Sequence, residues 1–274
     1  MKKVNTLLVL GVIIISLITA YLLFHQVLGN PSNFTGGDPA NEPLSGNYLG
    51  VIYKGGPVVI VLIAYMIILV TFVIERLIQV FRAQGKGNPI SFIQQAKKWF
   101  AESKWKEIKE ACDKNQGSVA HVVHNGISTL ELLETDESLT HEQKVTTLQK
   151  DLEEATQLEI PQLNRNMVII STLASIATLT GLFGTVTGMI KAFSSLARVG
   201  APDAIGLANG ISQALVTTAL GIATAAVAIV FYNLLSTRIG RIVQNIDESN
   251  YSLVHSYKTR AGLVAERPVE SQIA

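Results

Sequence analysis

Four stretches of the chain carry no charged residue and approach or exceed the length needed to cross a lipid bilayer: residues 7–24, 58–74, 166–190 and 204–237. A transmembrane helix needs about 20 predominantly apolar residues, and the shorter stretches reach that length with their flanking residues. Because the hydrocarbon core has no water to bind open backbone groups, such stretches form helices. The sequence therefore predicts an all-α polytopic membrane protein.

The composition supports this class. Charged residues make up 16% of the chain, against roughly 25% in soluble domains. The net charge of +1 creates no overall field that would attract nucleic acid. The single cysteine, Cys112, excludes an internal disulfide framework, and its acidic neighbours Glu110 and Asp113 predict an unreactive thiol.

Lysine and arginine are distributed unevenly between the stretches. Residues 29–56 and 196–204 hold one each, whereas residues 82–166 hold eleven and the tail after residue 235 holds five. Cytoplasmic segments carry the excess of basic residues, so the N-terminus, the middle segment and the C-terminus are predicted to be cytoplasmic. The predicted segments are a transmembrane helix at 1–28, a periplasmic loop at 29–56, a transmembrane helix at 57–81, a cytoplasmic helical domain at 82–166, a transmembrane helix at 167–195, a short periplasmic loop at 196–204, a transmembrane helix at 205–237, and a cytoplasmic helix and tail at 238–274.

The first stretch has the basic start of a secretory signal peptide. Its apolar part is longer than the usual signal core, and no small-x-small cleavage site follows it. We therefore predict an uncleaved helix. Within the loop at 29–56, the stretch "GNPSNFTGGDPANEPLSGN" (29–47) is rich in Gly, Pro, Asn and Ser and is predicted to be irregular.

The middle segment has apolar residues at a helical period. The pattern predicts helices over 89–114, 117–134 and 140–164, and Thr140 with Gln143 fits a capping box at the start of the third. The same period continues after Arg238. The third and fourth spans are therefore expected to extend into a cytoplasmic helical bundle.

The third span has one continuous face of small residues, which includes Gly181, Gly184 and Gly188. The fourth span has a matching face that includes Gly210 and Gly221. Lipid tails are as apolar as leucine, so helices associate in a bilayer through close contact between small residues. The glycines predict close packing between these two spans or against a partner helix.

Polar but uncharged side chains form a second feature of these spans. They are Ser175, Thr178 and Thr185 in the third span and Gln213, Thr217 and Thr218 in the fourth. An isolated hydroxyl usually bonds a carbonyl of its own helix. This many beside a small-residue face favour a wetted or partner-facing surface. Since residues 166–190 and 204–237 contain no Asp, Glu, Lys, Arg or His, a proton relay would need a titrating group from a partner.

Signatures of catalysis are missing. The sequence has no phosphate-binding loop and no nucleophile elbow, so we expect no enzyme and no cofactor. His121 and His124 are spaced i, i+3 on a predicted helix, but two ligands without a third make a weak metal site. No metal is expected.

Two long motifs resemble a known family. "GLFGTVTGMIKAF" (181–193) and "LANGISQALVTTALGIATAAVAIVFYNLL" (207–235) are similar to the ExbB/TolQ/MotA proton-channel family and are closest to ExbB, and "IERLIQVFRA" (74–83) resembles the end of that family's first span. Residues 1–45 lie outside the resemblance, because ExbB proteins usually have three spans.

The resemblance implies a homo-oligomeric ring in the bacterial inner membrane, typically a pentamer. Its central pore would enclose the single-span helices of an ExbD-, TolR- or MotB-like partner, whose aspartate carries the proton. Thr185 and Thr218 match the family's pore-facing threonines, whereas Gln213 stands where a glutamate is frequent. An ExbB-like protein would drive a TonB-like protein with proton motive force.

Other functions remain open at this point. A TolQ-like role in envelope constriction or a MotA-like stator role would share the mechanism with different partners. A structural membrane scaffold would conduct no ions. The sequence leaves open the coupling ion, the stoichiometry with the partner and the imported substrate.

Overall fold

The structure is a computed structural model that describes residues 2–197 and 203–265. Across these residues the secondary structure is helical apart from one isolated bridge between Phe34 and Pro43. The α-helices are α1 (Lys2–Leu22), α2 (Tyr48–Tyr53), α3 (Pro57–Gln84), α4 (Pro89–Ala101), α5 (Trp105–Asn115), α6 (Ser118–Thr135), α7 (His141–Leu163), α8 (Met167–Leu196) and α9 (Ala204–Ala265). The all-α prediction is confirmed.

The chain divides into two compact units. Met1–Glu75 and Asn166–Asn233 form the first, which we call the spanning unit, and Arg76–Arg165 and Leu234–Ala274 form the second, which we call the polar unit. Four helical segments of the described residues are long and apolar enough to cross a membrane, and each overlaps one of the four predicted stretches. The predicted loop at 196–204 and the predicted tail both extend past the described residues, which omit 198–202 and 266–274.

The first span packs through one narrow face. Ser16, Ala20, Phe24 and Leu28 follow one another every four residues and are all buried, while most of the remaining apolar side chains of α1 are exposed. Phe24 and Leu28 belong to a π-helical segment, Leu23–Leu28, and pack with Val59 of α3 in one apolar cluster. The helix is thus integral to the spanning unit.

The residues predicted to be irregular, 29–47, contain only short turns and one isolated bridge. Short 3-10 turns at Pro31–Asn33 and Thr35–Gly37 precede α2. The buried amide of Asn33 donates to the carbonyl oxygens of Val27 and Leu28, at 2.8 and 2.9 Å, and so closes the end of the first span. Composition alone does not reveal which asparagine caps a helix end, so this contact was not part of the prediction.

The polar unit contains α4 to α7 and the second half of α9. The single helix predicted over 89–114 is wrong, because the chain breaks between α4 and α5 at Ser103, whose φ is +58°. The break lets the edge of Trp105 contact buried Phe100, with ring centroids 5.0 Å apart. The capping box of Thr140 and Gln143 is confirmed at the start of α7. The helical period after Arg238 is also confirmed, since α9 is one helix of 62 residues, about 93 Å long.

Candidate site in the paired spans

Glycines bring α8 and α9 into backbone contact. A Cβ atom added to Gly221 would lie 2.7 Å from the carbonyl oxygen of Ala177 and 2.9 Å from Cα of Gly181. One added to Gly188 would lie 2.7 Å from the carbonyl oxygen of Gly210. Since these neighbours are backbone atoms that no rotamer change can move, glycine is required for this separation. The predicted close packing is therefore present within a single chain.

Gly184 serves a different purpose in the same contact. Its missing side chain leaves space that the side chain of Thr217 fills, and a Cβ there would collide with Thr217 Oγ1 and Cβ. Thr217 is fully buried, and its hydroxyl donates to the carbonyl oxygen of Gln213 at 2.8 Å. This position favours a packing role for Thr217, because an open pore wall would leave its side chain exposed.

Thr185 and Thr218 meet one residue further along each helix. Their hydroxyl oxygens are within hydrogen-bonding contact, and both side chains are half-buried. Carbonyl oxygens of both helices surround the pair. Gly181 O lies 3.3 Å from Thr185 Oγ1 and 3.4 Å from Thr218 Oγ1, and Ala214 O lies 3.0 Å from Thr218 Oγ1. The two hydroxyls thus form a polar point on the α8–α9 contact.

The chemistry of this pair is that of an acceptor. Two hydroxyls have two protons to donate and four lone pairs to offer. One proton is donated within the pair and the other reaches a carbonyl oxygen, so lone pairs stay available on the half-buried side. The threonine pair can therefore accept a hydrogen bond from a protonated carboxyl group or from water.

Apolar side chains surround the threonine pair. Leu182, Leu215 and Ile222 lie one helical turn from a threonine and are 58%, 67% and 55% exposed. In a bilayer such side chains contact lipid or another helix. The pair is thus an isolated polar point on an apolar surface.

The other predicted site residues lie elsewhere. Ser175 and Thr178 are exposed, and the Thr178 hydroxyl donates to Ala174 O of its own helix at 3.2 Å. Gln213 is 8% exposed, and its amide packs against Gly56, the left-handed residue before α3. The structure therefore groups Gln213 and Thr217 with the packing residues, and it leaves Ser175 and Thr178 apart from the threonine pair.

One charged side chain is fully buried. Arg76 is the largest fully buried side chain in the described part of the chain. Its only signal in the sequence is its place directly after the second apolar stretch, where charged residues usually mark the membrane interface. Among the described residues, no group of three or more His, Cys, Asp or Glu side chains is arranged to hold a metal ion.

The fold and the site define the class of protein. Four apolar helices, two of which are joined by glycine contacts, make a multi-pass helical membrane protein. A sequence profile described as the MotA/TolQ/ExbB proton channel family matches residues 114–248. The segment that holds α8 and the apolar half of α9 therefore matches the profile of this family, in agreement with the resemblance seen in the sequence.

Individual relatives agree with this assignment. An ExbB-like biopolymer transport protein of Synechocystis is 40% identical over 84 residues, which cover 30% of this chain and 40% of the relative. The Tol-Pal system protein TolQ of Haemophilus influenzae is 38% identical over 87 residues, which cover 32% and 38%. The biopolymer transport protein ExbB of Pseudomonas putida is 30% identical over 151 residues, which cover 53% and 44%. The chain thus spans less than half the length of these relatives.

Proposed function

We propose that this chain is a proton-channel and motor subunit of the bacterial inner membrane. Together with an ExbD-like single-span partner it would convert proton motive force into work on a TonB-like protein and so energise import across the outer membrane. Its role is mechanical coupling rather than enzymatic catalysis. The observation that carries the proposal is the Thr185–Thr218 hydroxyl pair. It lies on two glycine-packed spans whose apolar stretches, 166–190 and 204–237, contain no Asp, Glu, Lys, Arg or His.

The mechanism follows from the cost of a charge in an apolar site. A carboxylate on a partner helix that faces the threonine pair is unfavourable unless it is protonated or hydrogen-bonded. Protonation removes this cost, and the neutral carboxyl group donates to a threonine hydroxyl. The partner helix can then turn relative to the ring, and the proton leaves on the cytoplasmic side. Each charge that crosses the membrane releases about 2.3 kcal/mol per 100 mV.

The exposed apolar surface around the threonine pair supports an assembly. The side chains of Leu182, Leu215 and Ile222 suit contact with a partner helix and with neighbouring copies of the chain. We propose a homo-oligomeric ring, in which a pentamer is the expected number, with both termini and the polar unit in the cytoplasm.

The test compares alanine substitutions in the hydroxyl pair with one at a threonine that bonds only its own helix. Thr185→Ala and Thr218→Ala remove the hydroxyl pair and should abolish most energised uptake while the protein still assembles. Thr71→Ala is the matched control, because the Thr71 hydroxyl in α3 bonds only Ile67 O of its own helix, at 2.8 Å. Normal uptake in both single variants and in the double variant would refute the proposed site.

A TolQ-like role is the second candidate, since one of the relatives is named as a TolQ protein at an identity similar to those named ExbB. Copurification of the native complex followed by mass spectrometry separates the two. An ExbD-like and a TonB-like protein support the first role, and a TolR-like protein supports the second. A MotB-like partner would point to a stator. A purified assembly without any single-span, aspartate-bearing partner would favour a structural scaffold.

A further inference from the structure

A cavity lies within the polar unit. Its volume is about 560 Å³. The last turn of α3, the end of α5, the start of α6 and one face of α7 form its walls. The cavity is open on one side, so a small solute can enter from solvent.

The start of α6 provides backbone donors to this cavity. Gly117 is the N-cap residue and has no side chain that could bond the first N–H groups. Within the described residues, no protein acceptor pairs with the backbone N–H of Ser118, Val119 or Ala120, and the first such bond is from His121 N to Gly117 O at 3.0 Å. Unsatisfied donors at the positive end of an 18-residue helix favour an anion.

The side chain of Ser118 supplies a further donor at the cavity wall. Ser118 is 5% exposed and borders the cavity, and its hydroxyl has no hydrogen-bond partner among the described protein groups. The hydroxyl oxygen is not sealed from solvent, so its proton is available to whatever occupies the cavity. A ligand that accepts a hydrogen bond would bind it together with the N–H groups.

Charged side chains line the rest of the cavity. Arg82 in the last turn of α3 supplies a guanidinium group, which suits an oxyanion. Glu159 accepts from His121 Nδ1 at 2.9 Å, so its carboxylate already has a partner. Asp113 is the carboxylate that would repel an anion. The affinity of the cavity for an anion therefore depends on the opposing charges of Arg82 and Asp113, and substitutions of both residues can test it.

We propose that this cavity is an oxyanion site that takes a phosphate group. The backbone N–H groups at the start of α6, the Ser118 hydroxyl and the Arg82 guanidinium bind its oxygens. Phosphate at a helix N-terminus is stabilised by the aligned N–H groups and by the helix dipole. The group could belong to a free phosphate or to an anionic phospholipid, since both offer the same oxygens.

The experiment measures binding to the full-length protein in neutral detergent micelles. Inorganic phosphate is titrated by isothermal calorimetry in a chloride background, which tests the free source. In a second arm, ³¹P NMR of the protein in bilayer discs compares phosphatidylglycerol with phosphatidylcholine, which tests the lipid source. The variants are Ser118→Ala, Arg82→Gln and Asp113→Asn. Ser128→Ala on the same helix is the control, because its hydroxyl donates to His124 O at 2.9 Å.

Two variants should weaken phosphate binding and one should strengthen it, so a general folding defect cannot produce the same pattern. Ser118→Ala and Arg82→Gln should each weaken binding about tenfold, the effect of one hydrogen bond to a charged group. Asp113→Asn should tighten binding several-fold, and Ser128→Ala should leave it unchanged. The proposal is overturned if neither source binds the unaltered protein, or if Ser118→Ala binds as tightly as the unaltered protein does. The Thr185–Thr218 proposal is unaffected by either result.

Discussion

The contact between α8 and α9 predicts opposite effects for two glycine-to-alanine substitutions in the same helix. A Cβ at Gly210 would lie 2.5 Å from the backbone nitrogen of Ala192, whereas ordinary contact begins at 3.4 Å. The helices would have to separate locally by the difference, 3.4 − 2.5 = 0.9 Å. Forcing a methyl group into a packed contact costs about 1–3 kcal/mol. The gain in helix propensity is only about 1 kcal/mol, so Gly210→Ala should destabilise the protein.

The matched control is Gly240→Ala, since an added Cβ there meets nothing within 4 Å. Only the helix propensity changes at that position, so this variant should be slightly more stable than the unaltered protein. The two variants should differ by about 1–3 kcal/mol in the free energy of unfolding. Thermal unfolding in one detergent, followed by circular dichroism, measures both. A Gly210→Ala variant as stable as Gly240→Ala would refute the argument from close backbone contact.

Two further predictions concern buried polar groups. Burial raises the pKa of the Cys112 thiol from 9.0 to about 12, with a smaller contribution from Asp113, so maleimide should label it at neutral pH only after unfolding. The thiol ionises at a lower pH in the unfolded protein than in the folded protein. The contribution of Cys112 to stability should therefore fall as the pH rises from about 9 towards 12. Cys112→Ala should flatten that fall in a curve of stability against pH. Asn33→Ala leaves the carbonyl oxygens of Val27 and Leu28 without their donor and should cost about 1–3 kcal/mol. Asn41→Ala removes a single bond at an exposed site and should cost less in the same unfolding assay, and equal losses would contradict the capping role of Asn33.

The spans were the most predictable part of the fold, because a bilayer requires long uncharged stretches and those stretches are visible in the sequence. The break at Ser103 was not predictable in the same way. Apolar residues keep a helical period on both sides of it, and the turn is closed by backbone bonds such as Lys104 N to Trp99 O and by the contact of Phe100 with Trp105. The contacts of Asn33 were not predictable either, since its partners are carbonyl oxygens and leave no signal in the side-chain pattern.

Two neighbouring threonines of the site show what helical periodicity cannot predict. Thr217 and Thr218 are neighbours in the sequence, and the predicted pore-facing set included both. Successive residues of a helix point about 100° apart, so the two side chains meet different residues of a neighbouring helix. The periodicity gave the relative angle between the two side chains but not which of them is buried between α8 and α9.

In the structure, Gly184 determines which of the two threonines is buried. Gly184 leaves the space that Thr217 fills, and the next residue of each helix then brings Thr185 to Thr218. Both pairs have the same separation in sequence, so one register of α8 on α9 creates the packed pair and the hydroxyl pair together. The glycines therefore do more than allow a close approach. They fix the register that places the two hydroxyls in contact, which makes the packing of the spans a condition for any chemistry of the threonine pair.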